Sequence, residues 1–205
     1  MTEKIDIMTI IEPEDRFLLE NKRISTMSKN DWGKTMAVSN QYIQRNLLRH
    51  LLEQYHYRIY CVDDADFPKE ISVYNNATGF DLVIISPLNR IFRIQSKLRQ
   101  VNGLCNFSQR IHFETTRRNS RKNKEKSHTG HVCYSVNEFD FVMISLVNER
   151  KGRDVIQNCN EWSFSFIPIH ELIDNTKQCC ISTIPATLLS KYTIHYNQNI
   201  LHLFS

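Results

Sequence analysis

Apolar residues along this chain fall into two periods, and the switches between them outline its elements. Met36, Ile43, Leu47, Leu48, Leu51, Leu52 and Tyr55 recur at helical spacing over residues 33–55, with Arg45, Arg49 and Glu53 on the other side. This predicts an amphipathic helix with Asn30 or Asp31 as its N-cap. Residues 1–29 are weakly patterned and are expected to form an arm or a short helix near residues 14–21. Beyond the helix, Arg58 to Val62 (RIYCV) reads as a strand. Phe80 to Ile85 (FDLVII) is a nearly continuous apolar run, as in a central strand covered on both faces. Ile91 to Leu98 (IFRIQSKL) alternates: Phe92, Ile94 and Leu98 share one face, Arg93, Gln95 and Lys97 the other. Further strands are predicted at 110–116 (RIHFETT), 139–147 (FDFVMISLV) and 162–169 (WSFSFIPI), with a turn or helix from His170 to Asp174. The tail from Cys179 onward mixes β-branched and polar residues and predicts no definite element.

A helix, a strand, a two-stranded hairpin, a polar region and two more strands suggest an α/β sandwich around a mixed central sheet flanked by helices. The chain is read as one domain over 1–205, with an N-terminal arm (1–29), a core (30–175) and a C-terminal extension (176–205). It has no internal repeat, no regular βαβ alternation and no Gly-rich phosphate loop. Its 41% hydrophobic and 23% charged residues are ordinary for a globular protein. The apolar runs are too short to span a bilayer, and the N-terminus does not read as a signal peptide. An intracellular, reducing, cytoplasmic setting is therefore expected, with the six cysteines as thiols. His128, His131 and Cys133 lie close together but lack a fourth ligand at a zinc spacing. They read better as a polar loop running into a strand.

The segment from Asp81 to Lys97 carries the chemistry. With Pro87, Leu88 and Asn89 as a three-residue loop, Pro87 suits the first position of a type I turn, and Asn89 tolerates the left-handed position that closes it. Ser86 then faces Arg90, and Asp81 falls opposite Gln95 with Lys97 two residues on, on the same face. A two-residue loop would place Asp81 opposite Ser96 instead. One face would thus hold a carboxylate, a carboxamide oxygen and an ammonium. Asp81 and the Gln95 oxygen are hard ligands of the kind magnesium prefers, and the Ser96 backbone carbonyl can complete the set. Lys97 can orient a water or offset charge at phosphorus.

The run Phe80-Asp81-Leu82-Val83-Ile84, a short turn, then Arg93-Ile94-Gln95-Ser96-Lys97 resembles the metal-binding hairpin of PD-(D/E)XK nucleases. Its Gln-Xaa-Lys ending is similar to that of some small type II restriction enzymes and of a group I intron homing endonuclease. The helix ending near Tyr55 with RIYCV, and the later runs 138–142 and 164–169, resemble the family's first helix and strand and its later core strands. The resemblance covers about residues 33–173. It implies a restriction-endonuclease-like core, with Asp81, Gln95 and Lys97 as catalytic residues. It also implies a magnesium ion, with manganese as a substitute, on Asp81, Gln95 and the Ser96 carbonyl. Two departures stand out. Phe80 occupies the place of the motif's proline, and the first helix offers Gln41 and Gln44, with no glutamate until Glu53, where many members carry one, so one metal ion or two per site is left open.

Net charge is only +4 and assigns no partner, but Arg117, Arg118, Arg121, Lys122, Lys124 and Lys126 crowd one segment with Asn119 and Asn123 between them. Such a segment suits phosphate neutralisation and base reading, so these six are the expected DNA-binding residues, on a loop running from 117 to about 130. The expected activity is magnesium-dependent, sequence-specific endonucleolytic cleavage of double-stranded DNA, by a homodimeric restriction enzyme in the first instance. A homing or structure-selective repair nuclease is the alternative. A non-cleaving DNA-binding protein on a nuclease fold is a rival of another class, made credible by the glutamine at 95 and opposed by the intact Lys97.

Overall fold

The apolar stripe from Ile43 to Leu52 needs a surface to cover, and in the computed structural model it lies on one face of a six-stranded sheet. The structure describes residues 5–10, 13, 29–72, 79–100, 111–112, 116–118, 131–147, 158–173, 183–196 and 198–204. The stripe belongs to helix α2 (Lys29–Leu52), which follows a single turn α1 (Ile7–Ile10). Asn30 and Asp31 were the expected N-cap; they sit instead in the first turn of α2, which starts at Lys29. The helix tightens into a 3-10 turn (Glu53–Tyr55), and His56 stops it in the left-handed region at φ 65°, its N–H donating to Glu53 O at 2.8 Å. The helix expected near residues 14–21 lies outside the described residues.

The sheet contains β1 (Arg58–Cys61), β2 (Leu82–Ile85), β3 (Ile91–Gln100), β7 (Phe141–Val147), β8 (Ser163–Pro168) and β10 (Thr193–His195). They stand in the order β1-β2-β3-β7-β8-β10, with β3 and β7 parallel and every other pair antiparallel. Short helical turns accompany the strands, among them α3 (Lys69–Ser72), α4 (Ala186–Lys191) and the 3-10 turn Ile169–Glu171. The chain is thus α/β with a mixed six-stranded sheet flanked by helices. Among the described residues no helix is long and apolar enough to cross a membrane.

Period-2 alternation splits the core in two. Leu82, Ile84, Ile94, Met143, Phe164 and Phe166 face α2. Val83, Ile85, Val142, Ile144 and Ile167 face the other way, under Tyr134, Phe139, Leu172 and Leu189. All four residues of β2 are buried, as the continuous run FDLVII predicts. Phe80, just before Asp81, is buried in the second cluster. Arg93 fixes the start of the parallel pair: its backbone N–H donates to Asp140 Oδ2 at 2.7 Å, its guanidinium reaches both carboxylate oxygens, and Asp140 N–H returns a bond to Arg93 O at 2.8 Å.

Both chain ends join this core. Ile7 is buried in it, and Ile5 O accepts from Cys159 N at 2.9 Å. The segment expected as a C-terminal extension supplies β10 at the edge of the sheet. It also supplies Phe204, whose ring sits 5.4 Å from Phe92, 6.0 Å from Phe141 and 5.8 Å from Phe166, centroid to centroid. The strand expected at 110–116 divides instead between two ladders. β4 (Ile111–His112) pairs with β9 (Thr183–Ile184), and β5 (Thr116–Arg118) pairs with β6 (His131–Cys133).

Candidate active site at the parting of β2 and β3

The hairpin takes the register that its turn residues predict. Asn89 N–H donates to Ser86 O at 2.9 Å, Asn89 adopts φ 58°, and Ser86 N–H donates to Arg90 O at 2.9 Å. Pairing then runs from Ile85↔Ile91 down to Leu82↔Ile94. One step further, Asp81 and Gln95 meet: Gln95 Nε2 donates to Asp81 Oδ2. Here the strands part. β2 ends, while β3 continues from Gln95 to Gln100 beside β7 alone. Parting frees the Ser96 N–H on the β2 side, and Asp81 Oδ2 accepts it at 2.8 Å. Gln95 is buried, whereas Asp81, Ser96 and Lys97 are half-buried at the rim.

Asp81 is the perturbed group. Burial pushes its carboxyl above the usual carboxylate range, opposed by the Lys97 charge and by the Ser96 N–H; the Asp63 charge adds a smaller upward push. Asp63 follows β1, where Val62 N–H donates to Asp81 O at 3.1 Å. It is held from α2 by the Tyr42 hydroxyl and, at 3.5 Å, by Gln41 Nε2. The Asp63 bond in turn pushes the Tyr42 phenol up to about 12, so Tyr42 stays a donor. Behind it, Asp64 is taken by Arg45, by Arg49 at 3.6 Å and by Cys61 N–H at 2.7 Å. Cys61, Asp63 and Asp64 lie close enough to share an ion, but Asp64 is already neutralised and its role is structural.

The donor set fits a hard cation. Gln95 Nε2 lies between Asp81 Oδ2 and, at 3.4 Å, the Ser96 carbonyl. A half-turn of the carboxamide exchanges that nitrogen for Oε1, so the residues that would hold such a cation are Asp81, Gln95 through Oε1 and Ser96 through its carbonyl. On the same face of β3, a cleft of about 630 Å³ opens beside Arg93, lined by Ile71, Phe80, Ile91, Asn137 and Glu138.

The expected DNA-binding residues separate. Arg117 and Arg118, expected on a loop, lie on β5 in the two-stranded ribbon with β6, where Arg118 pairs with His131. Arg121, Lys122, Lys124 and Lys126 lie outside the described residues, as does His128. On α2, Gln44 Nε2 bonds Ser145 Oγ at 2.6 Å and Asn40 Nδ2 bonds Ser96 Oγ at 2.8 Å. The sequence signal for these two is a pair of amides at i and i+4 continuing the buried stripe of Ile43, Leu47 and Leu48. Comparison with family models, with curated proteins and with solved structures finds no match to this chain.

Proposed function

We propose that this chain is a magnesium-dependent endonuclease of the PD-(D/E)XK kind that hydrolyses double-stranded DNA at a specific sequence, in the manner of a type II restriction enzyme. The observation that carries the reading is the meeting of Asp81, Gln95 and the Ser96 carbonyl where β2 and β3 part, with the Lys97 charge acting on the same carboxylate. The order of elements supports it as well: α2 is followed by β1, the hairpin β2–β3 and the later strand β7, and these four strands are neighbours in one sheet, in line with the resemblance. Asp81, Gln95 through Oε1 and the Ser96 carbonyl would hold the metal. When bound, it supplies polarisation of the phosphate and a water of lowered pKa. The Lys97 charge favours the carboxylate form of Asp81 against the effect of burial, and its ammonium offsets charge developing on the phosphate oxygens. Arg117 and Arg118 on the ribbon, with Arg121, Lys122, Lys124 and Lys126 beyond it, contact the DNA backbone.

A second reading is favoured by one observation. The Gln95 amide already satisfies Asp81 without a metal, which suits a DNA-binding protein that does not cut. Incubating the protein with varied duplex DNA and magnesium, then mapping the ends, separates the two. Cleavage that appears with magnesium and vanishes in EDTA supports the endonuclease. DNA binding with intact substrate under every metal condition supports the second reading.

A further inference from the structure

We infer that Asn40 and Gln44 of α2 are positioning residues for the Ser96–Lys97 segment of β3, holding the catalytic strand from behind. The inference rests on the endonuclease reading and adds to it two residues on the far side of the sheet from Asp81 and Gln95. From Gln95 onward β3 has lost its ladder to β2 and, among the described residues, pairs only with β7. The β7 ladder holds one edge of the Ser96–Lys97 segment, and further bonds act on it from outside that ladder. Asp81 supplies one from the front, through the Ser96 N–H.

The amides of α2 act from the other face. Asn40 Nδ2 donates to Ser96 Oγ at 2.8 Å. Gln44 Nε2 donates to Ser145 Oγ at 2.6 Å and lies 3.4 Å from both the Lys97 and the Met143 carbonyls. Ser145 pairs with Leu98, so one amide ties the helix to both strands of the parallel pair at the level of Lys97. Asn40 is 1% exposed and Gln44 0%, and each buries an oxygen, Asn40 Oδ1 and Gln44 Oε1, that has no hydrogen-bond partner among the described residues. An apolar residue at either position would extend the stripe of Ile43, Leu47 and Leu48 and bury no orphan acceptor. The chain carries this cost directly behind its catalytic residues, where support by neighbouring side chains governs the precision of a site.

The test uses Gln44→Met and Asn40→Leu, which keep side-chain bulk and remove the amides. Three quantities are measured on the full chain: thermal unfolding without metal, Mn²⁺ affinity by EPR titration, and magnesium-dependent cleavage of duplex DNA. Positioning predicts an unchanged or raised melting temperature, with Mn²⁺ affinity and kcat lower by about 10–100-fold and KM for DNA unchanged. It also predicts that Asn40→Leu and Ser96→Ala act non-additively on Mn²⁺ affinity, because both remove the same bond. Wild-type kcat and Mn²⁺ affinity in both variants would overturn the inference and leave the endonuclease reading intact. A loss of kcat that only follows loss of folded protein would overturn it equally. A wild-type protein that neither binds Mn²⁺ nor cuts DNA overturns both.

Discussion

Replacing Gln95 by glutamate tests the site through stability before any DNA is added. In the native chain Gln95 donates to the Asp81 carboxylate and is buried. Glutamate would set a second carboxylate against the first. Two carboxylates about 4 Å apart at an effective dielectric of ~20 repel by about 4 kcal/mol. The chain can escape by protonating one of them. From a reference pKa of about 4.3, at 1.36 kcal/mol per unit, that costs roughly 4 kcal/mol at pH 7 and roughly 1 at pH 5. The added group has a folded pKa above its unfolded one. The variant is therefore hurt least below the unfolded value and progressively more as pH rises through the folded value. Between pH 5 and pH 8 the penalty relative to wild type should grow by about 3 kcal/mol, roughly 6–12 °C in melting temperature for a chain of this size. Magnesium should reverse the penalty, because the second carboxylate then becomes a ligand and binding to the folded state stabilises it. Thermal unfolding of Gln95→Glu and wild type in EDTA at both pH values, then across a magnesium series, reads all of this. An equal penalty at pH 5 and pH 8, with no recovery in magnesium, would refute both the contact and the site.

Other perturbations have equally definite outcomes. Lys97→Ala should abolish cleavage while gel-shift affinity for DNA in calcium stays near wild type; cleavage at the native rate would remove Lys97 from the site. Asp64→Ala removes the buried Arg45–Asp64 ion pair and also the Arg49 contact, and should cost about 3–5 kcal/mol in urea denaturation. A cost under 1 kcal/mol would place that pair among surface ion pairs. Replacing Arg121 and Lys122 together by alanine should flatten the slope of log affinity against log salt by up to ~2 units, and an unchanged slope would move the DNA contact elsewhere. Burial pushes the Cys159 thiol up to about 12, so peptide mapping after alkylation at pH 8 should find Cys159 unmodified in the folded chain and modified in urea.

The hairpin was legible in the sequence because turn chemistry is local. Pro87 and Asn89 constrain their own dihedrals, and a fixed loop length fixes every pair below it, down to Asp81 and Gln95. The core strands were legible because their apolar runs are long. The place where β2 and β3 part was not, since it depends on how far β7 follows β3, a contact made across the chain. The same holds for Asn40 and Gln44. Their partners Ser96 and Ser145 lie 56 and 101 residues away, and helical periodicity marks the face they occupy but not what it meets. β10 was not legible because Thr193–His195 is a three-residue strand of mixed polarity whose one ladder among the described residues is with β8. The start of α2 was placed too late because Asn30 and Asp31, good caps in isolation, are absorbed into its first turn.

The parallel pairing of β3 with β7 also governs how this protein reaches its fold. Ile94 meets Phe141 across 47 intervening steps of chain, whereas Leu82 meets Ile94 across 12. Closing the longer loop loses more chain entropy for its first contact, so the hairpin should form well before its parallel neighbour arrives. In that interval the stretch from Gln95 to Gln100 is a strand with both edges open, the kind of surface on which chains associate wrongly. Gln95 and Lys97 thus lie on a part of the sheet that stays unprotected until β7 docks. Refolding yield should accordingly fall with protein concentration, and ligands that bind only the finished site would come too late to prevent the loss.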